Sequence, residues 1–176
     1  MDSALPKRNK NDNPKPITRT PGGELVTDFV LKLLTLYGVI HSHGVKLTHP
    51  TGQTPPRWQV LGAIESESLT TSQVGRRMGM TRQGVRRVAA LLAAEELITF
   101  EENPDHARAP RIALTNKGAK TLHLIHTMQA KWANEIAKHV SKTDLVKAIK
   151  TFEDMHLALR NIEKVVFTKQ AGNLTT

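Results

Sequence analysis

Apolar residues recur at intervals of three and four along most of this chain, and that spacing predicts helices. Over residues 24–45, Leu25, Phe29, Leu33, Leu36 and Ile40 form one stripe, widened by Val26, Val30, Leu34 and Tyr37. A helix apolar over so much of its girth needs partners on more than one side, and a second subunit is a candidate. Pro50 to Pro56 makes the loop after it. Thr54-Pro55-Pro56 reads as a helix start with Pro in the first turn, and Trp58, Leu61, Ala63 and Ile64 come next. Trp58 reads first as a core anchor, because buried aromatics are mostly packing. Residues 65–70 read as a polar connection. Residues 71–94, TSQVGRRMGMTRQGVRRVAALLAA, read as two helices joined by a turn. Val74 and Met78 are four apart on the first, and Val85, Val88 and Leu92 repeat on the second. Gly79-Met80 breaks the pattern. Thr70 or Thr71 caps the first helix of this pair, and Thr81 caps the second.

Beyond residue 94 the period changes. Residues 97–100 and 111–114 are β-type runs separated by the turn signal Asn103-Pro104-Asp105, which predicts a hairpin with Arg108 near its tip. A hairpin after such a helix pair is a wing. Arg108 then has two equally weighted readings: insertion into a minor groove, or a place on a phosphate or in solvent. Thr115 caps a further helix carrying Leu122, Ile125, Gln129, Trp132 and Ile136. After an interruption at Ser141 to Asp144 comes a last helix with Leu145, Ile149, Phe152, Met155, Leu159, Ile162 and Val166. The expected fold is mainly α with a small β-hairpin wing. A winged helix-turn-helix domain over 54–115 is flanked by dimerisation helices over 24–48 and 116–167, whose apolar faces are hidden between subunits. Residues 1–21, with Pro6, Pro14 and Pro16 among basic residues, are expected to form a flexible arm, and 168–176 a frayed tail. An arm adding phosphate contacts is the second reading of the N-terminus.

Charge changes this picture most in one place. The 176-residue chain carries a net +9, which favours an anionic partner. Five Arg and no acidic residue fall within 71–94. Arg82, Gln83, Arg86 and Arg87 sit in the first two turns of the second helix, the part that enters a DNA major groove in such motifs. Arg pairs bidentately with guanine and Gln with adenine, while other Arg neutralise phosphates. On this reading Arg82, Gln83 and Arg86 contact base edges, and Arg87 serves a phosphate or positions the helix. The competing reading is an ordinary solvated basic face.

Other chemistry is limited. The chain has no Cys, so disulfides, thiolate zinc sites and thiol redox switches are excluded. A Gly-rich phosphate loop and a G-x-S-x-G nucleophile are both missing, and the chain is expected to be neither an enzyme nor a cofactor carrier. The charged N-terminus lacks an apolar leader, and no run approaches ~18 apolar residues, so a cytoplasmic protein without membrane contact is expected. Eight His leave a metal-responsive alternative open, with His123 and His126 at i and i+3 as the sharper pair and His41, His43 and His49 elsewhere. A nonspecific chromatin-like binder is the other alternative.

The order of elements resembles the MarR family of winged-helix regulators. The likeness covers about residues 24–166 and rests on PPRWQVLGAI, VGRRMGMTRQGVRRVAALLAAEELI and NPDHARAPRIALTNKG in sequence. It implies a homodimer whose two winged domains read halves of a near-palindromic double-stranded DNA operator, more often as a repressor. It puts Thr81, Arg82, Gln83, Arg86 and Arg87 on or at the start of the recognition helix, and Arg108 on the wing. Ser72 and Gln73 fall where phosphate contacts are expected. It also implies a small aromatic effector in a cleft that Tyr37 and Trp58 would line. Two positions depart from the family pattern. Glu96 stands where Gly is usual, so it must adopt a left-handed backbone or end the helix differently. Asp105 and Arg108 are three apart rather than one or two.

Overall fold

The computed structural model describes residues 18–104, 106 and 108–171, with side chains as far as Ile162. The basic arm apart from residues 18–21, and residues 172–176 of the tail, lie outside the described residues. The chain divides into two units at Lys46 and Leu47.

The first unit is built on α1, Pro21–Thr48, longer at both ends than the apolar stripe alone predicts. Its start is set by Thr20, whose hydroxyl accepts from the Gly23 amide (3.1 Å) and whose carbonyl accepts from Glu24 (2.9 Å). Pro21 has no amide hydrogen to satisfy in that first turn. At the other end the helix runs through Gly44, whose propensity cost of about 1 kcal/mol does not stop it. The apolar stripe of α1 is exposed: Leu25 to 72%, Leu34 to 60% and Tyr37 to 61%.

The second unit holds the core. A short 3-10 turn, His49–Thr51, leads to α2, Pro55–Ala63, with Pro in its first turn as expected. The strand β1, Leu69–Thr70, precedes α3, Thr71–Met78, and α4, Arg82–Ala94. The wing is β2, Ile98–Glu101, and β3, Arg111–Leu114, followed by α5, Asn116–Ala137, and α6, Lys142–Ala171. The sheet is three-stranded and antiparallel in the order β1-β3-β2. β1 occupies part of the stretch read as a polar connection. It pairs Leu69 with Ile112 and Thr70 with Arg111, and two residues are too short to show alternation. Helix α6 runs four residues into the expected frayed tail.

Val60, Leu61, Val74, Val85, Leu92, Ile112 and Leu122 are fully or almost fully buried, so α2, α3, α4, α5 and the sheet share one core. Trp58 packs against that core as an anchor. The fold is the expected one, mainly helical with a winged helix-turn-helix.

Three junctions fix the geometry. Thr70 and Gln73 form a reciprocal capping box at the start of α3. Between α3 and α4, Gly79 takes φ +65° and the Met80 amide bonds the Gly75 carbonyl at 2.9 Å. A Cβ on Gly75 would stand 2.7 Å from the Met80 carbonyl, so the turn packs onto bare backbone there. After α4, Glu96 takes φ +59°, the left-handed choice. The Leu97 amide bonds the Leu92 carbonyl and the Glu96 amide that of Ala93, both at 2.9 Å, which is a Schellman end with Leu92 and Leu97 buried in one core. Thr115 completes this junction. Its hydroxyl donates to the Glu96 carbonyl (2.7 Å) and accepts from the Gly118 amide (3.0 Å), and its own amide donates to the Leu97 carbonyl (3.2 Å). A Cβ at Gly118 would collide with that Leu97 carbonyl.

Candidate nucleic-acid interface

Helix α4 buries Val85, Ala89 and Leu92 and turns Arg82, Gln83, Arg86 and Arg87 outward. Its N-cap is Thr81, whose side-chain oxygen accepts from the Gly84 amide at 3.0 Å. The first turn holds no acidic residue, so the positive end of the helix dipole adds to the arginines.

The wing closes on itself by short bonds. Asn103 is buried and donates from its side chain to the Ala109 carbonyl at 2.9 Å, and the amides of His106 and Ala109 bond the carbonyls of Asn103 and His106. Arg108 is exposed on this loop. Asp105, the other half of the altered wing pattern, lies outside the described residues.

Helix and wing together form a cleft of about 430 Å³ walled by Thr71, Arg82, Arg86, Ala90, Phe100, Arg108, Ala109 and Pro110. Three guanidinium groups from two separate elements thus line one concavity. The residues expected on α3 lie beside it less uniformly. Ser72 is half-buried. The side-chain oxygen of Gln73 is held by the Thr70 amide and hydroxyl, each at 2.8 Å, which leaves the amide NH₂ as the end suited to a phosphate.

Sequence reasoning missed two features here. Phe100 is an aromatic at the rim of the arginine cleft, and its half-exposed position in a strand was its signal. Arg77 counts among the basic residues of this stretch, yet its guanidinium donates to the Ala63 carbonyl (2.7 Å) and to Glu67 (2.6 Å), so it ties α3 to the end of α2. Glu95, like Arg77, is a positioning group. It receives Gln53 at 3.1 Å and Arg57 at 2.7 Å, fastening the C-terminus of α4 to the segment before and into α2. The Gln53 hydrogen bond is the largest effect on the Glu95 carboxyl; burial opposes it, and the hydrogen bond and charge of Arg57 help hold the group below the usual glutamate range.

The ligand and metal expectations fare differently. Tyr37 lies on α1 with its ring 5.9 Å from that of His41, whereas Trp58 belongs to the second unit and packs on its core. His126 meets Glu65 at 3.4 Å, but no group of three His, Asp or Glu suited to a metal gathers among the described residues.

The MarR family model matches residues 51–109, the stretch from the turn before α2 to the wing. An uncharacterized protein of Mycobacterium tuberculosis is 32% identical over 135 residues, 77% of this chain and 94% of that protein. The chain belongs to the MarR family. MarR-family proteins are transcription regulators that bind DNA. The fold agrees. The Staphylococcus aureus MarR solved with salicylate and kanamycin superimposes with TM-score 0.68 at 18% identity, over 78% of this chain and 94% of that one. CouR of Rhodococcus jostii RHA1, solved with p-coumaroyl-CoA, gives 0.67 at 18% over 74% and 93%. Among the described residues of this MarR-family chain, no helix is long and apolar enough to cross a membrane.

Proposed function

We propose that this protein is a cytoplasmic, sequence-specific regulator of transcription. It acts as a homodimer, more often to repress, on a near-palindromic double-stranded operator. The observation that carries the reading is the joint presentation of Arg82, Gln83, Arg86 and Arg87 on α4 with Arg108 across the cleft. Thr81, Ser72 and Gln73 would add contacts to the backbone at two helix starts. Dimerisation is supported by the exposed Leu25, Leu34 and Ile40 on α1 and by Val146, Ile149 and Leu159 on α6. Full burial of these partly exposed side chains would gain part of the ~1.5–3 kcal/mol that a wholly exposed one gains.

The proposal extends to an effector. Two MarR-fold proteins carry an aromatic acid or its CoA ester in their solved structures. A small aromatic acid would shift the regulator only by binding one spacing of the paired recognition helices better than another. No catalysis or cofactor is part of the proposal.

Selection of bound sequences from random duplex DNA tests the reading. Enrichment of two inverted half-sites about one helical turn apart (~34–36 Å) is expected, with binding that survives excess unrelated duplex. Binding that unrelated DNA competes away equally, as the +9 net charge alone would give, overturns sequence specificity.

A further inference from the structure

Arg82, Arg86 and Ala90 succeed one another at i, i+4 and i+8 and together form one wall of the cleft. Gln83 and Arg87 occupy the neighbouring row, about 100° round the helix. That row lies opposite the buried Val85, Ala89 and Leu92, at the crown that projects furthest from the domain. We infer that the cleft seats the sugar–phosphate backbone of one DNA strand, with Arg82, Arg86 and Arg108 gripping phosphates, while Gln83 and Arg87 read base edges. The inference rests on the proposed function and refines it, because it moves Arg82 and Arg86 from base readout to the backbone and Arg87 from the backbone to base readout.

Chemistry supports the division. When α4 lies in a major groove and the wing reaches beyond it, the strand bordering that groove must pass between them. The cleft offers that strand cations on both sides, two from α4 and one from the wing. Its remaining surface is Thr71, Ala90, Phe100, Ala109 and Pro110, among which the Thr71 hydroxyl is the one hydrogen-bonding side chain, too little to match the donors and acceptors of base edges. Such a floor suits deoxyribose. Phe100 is 48% exposed, enough apolar surface to pack on a sugar. Side chains four apart on a helix are about 5–6 Å apart, so Arg82 and Arg86 can take neighbouring phosphates. The crown row instead carries the two side chains with bidentate base partners, Gln for adenine and Arg for guanine.

The test compares full-length variants on the duplex obtained by selection and on a scrambled duplex, each over a range of salt. All five arginine and glutamine positions are exposed, and circular dichroism checks that each variant keeps its helix content. For Arg82→Ala and Arg86→Ala, affinity for both duplexes should fall together and the salt slope should flatten by about 0.9 each. For Gln83→Ala and Arg87→Ala, the ratio of selected to scrambled affinity should fall by about 5- to 150-fold. Replacing the one phosphate contacted by Arg86 with a neutral methylphosphonate should weaken wild type and leave Arg86→Ala little changed. If Arg82→Ala and Arg86→Ala erase the sequence preference while Gln83→Ala and Arg87→Ala keep it, this division of labour is overturned and the regulator reading stands. If wild type itself prefers no duplex, both readings are overturned.

Discussion

The winged core and the terminal helices obey the same helical periodicity and come to opposite ends. In α2, α3 and α4 the apolar rows disappear into one core, with Val60, Leu61, Val74 and Val85 fully buried. In α1 and α6 rows just as regular stay in contact with solvent, Leu34 at 60% and Val146 at 59%. Period tells which residues of a helix share a face; it does not tell whether that face meets the same chain. The core contains its own partners, whereas the terminal helices carry stripes whose burial requires something further. On the proposed function the difference also divides labour: the self-sufficient part would hold a reading surface rigid, and the other part would set how two such surfaces are spaced.

The comparison can be broken most severely at the terminal helices. Leu36→Asp with Ile40→Asp puts charge on one exposed row of α1, outside the winged core. Light scattering should then report a halved mass, and operator affinity should drop by about 10²–10⁴ as two linked half-site contacts become independent. An unchanged mass would show that this row is not the dimer contact. Next comes the core. Gly118→Ala drives a methyl into the Leu97 carbonyl, which the backbone cannot easily withdraw. A loss of about 3 kcal/mol is expected, seen as a fall in Tm of roughly 6–12 °C. Glu96→Gly acts in the other direction. Relief of the left-handed φ outweighs the entropy Gly adds to the unfolded chain, for a gain of about 0.5–1 kcal/mol in urea unfolding. The exposed ion pair of Glu96 with Lys117, at 3.6 Å, offers little to lose.

The smallest effect is the pH dependence of the tie at Glu95. Folding lowers its pKa, so the folded state binds that proton less readily than the unfolded state. Its contribution is complete above the ordinary glutamate value of about 4.3 and disappears as pH falls through the lowered folded value. The carboxylate is 42% exposed, so screening keeps the contribution below about 1 kcal/mol. Glu95→Gln should therefore destabilise at pH 7 and converge with wild type under acid, measured by denaturant unfolding at each pH. Parallel curves down to the lowest pH would remove Glu95 from the account.

Much of the fold was legible because it is written in local spacing and caps. Thr81, Thr115 and the Pro pair after Thr54 announce their helices directly. A missing glycine leaves two outcomes open at Glu96, and hydrogen bonds from Leu97 and Glu96 decide for the left-handed turn. What escaped depends on distant pairing. β1 exists only because β3 lies beside it, and Arg77 looks like any basic surface residue until the Ala63 carbonyl is placed next to it. For the candidate site, the exposed basic residues could be read from the chain. Their separation into a cleft row and a crown row could not, since the wing that makes the cleft comes from residues 98–114.

The junction at Glu96, Leu97, Thr115 and Gly118 has a mechanical meaning. One short stretch of backbone is at once the end of the reading rod, the root of the wing and the mooring of α5. Rod and wing therefore swing as one tool with a fixed angle of attack. Residues added between 102 and 110 would alter how far that tool extends; a residue added between 95 and 97 would alter where it points.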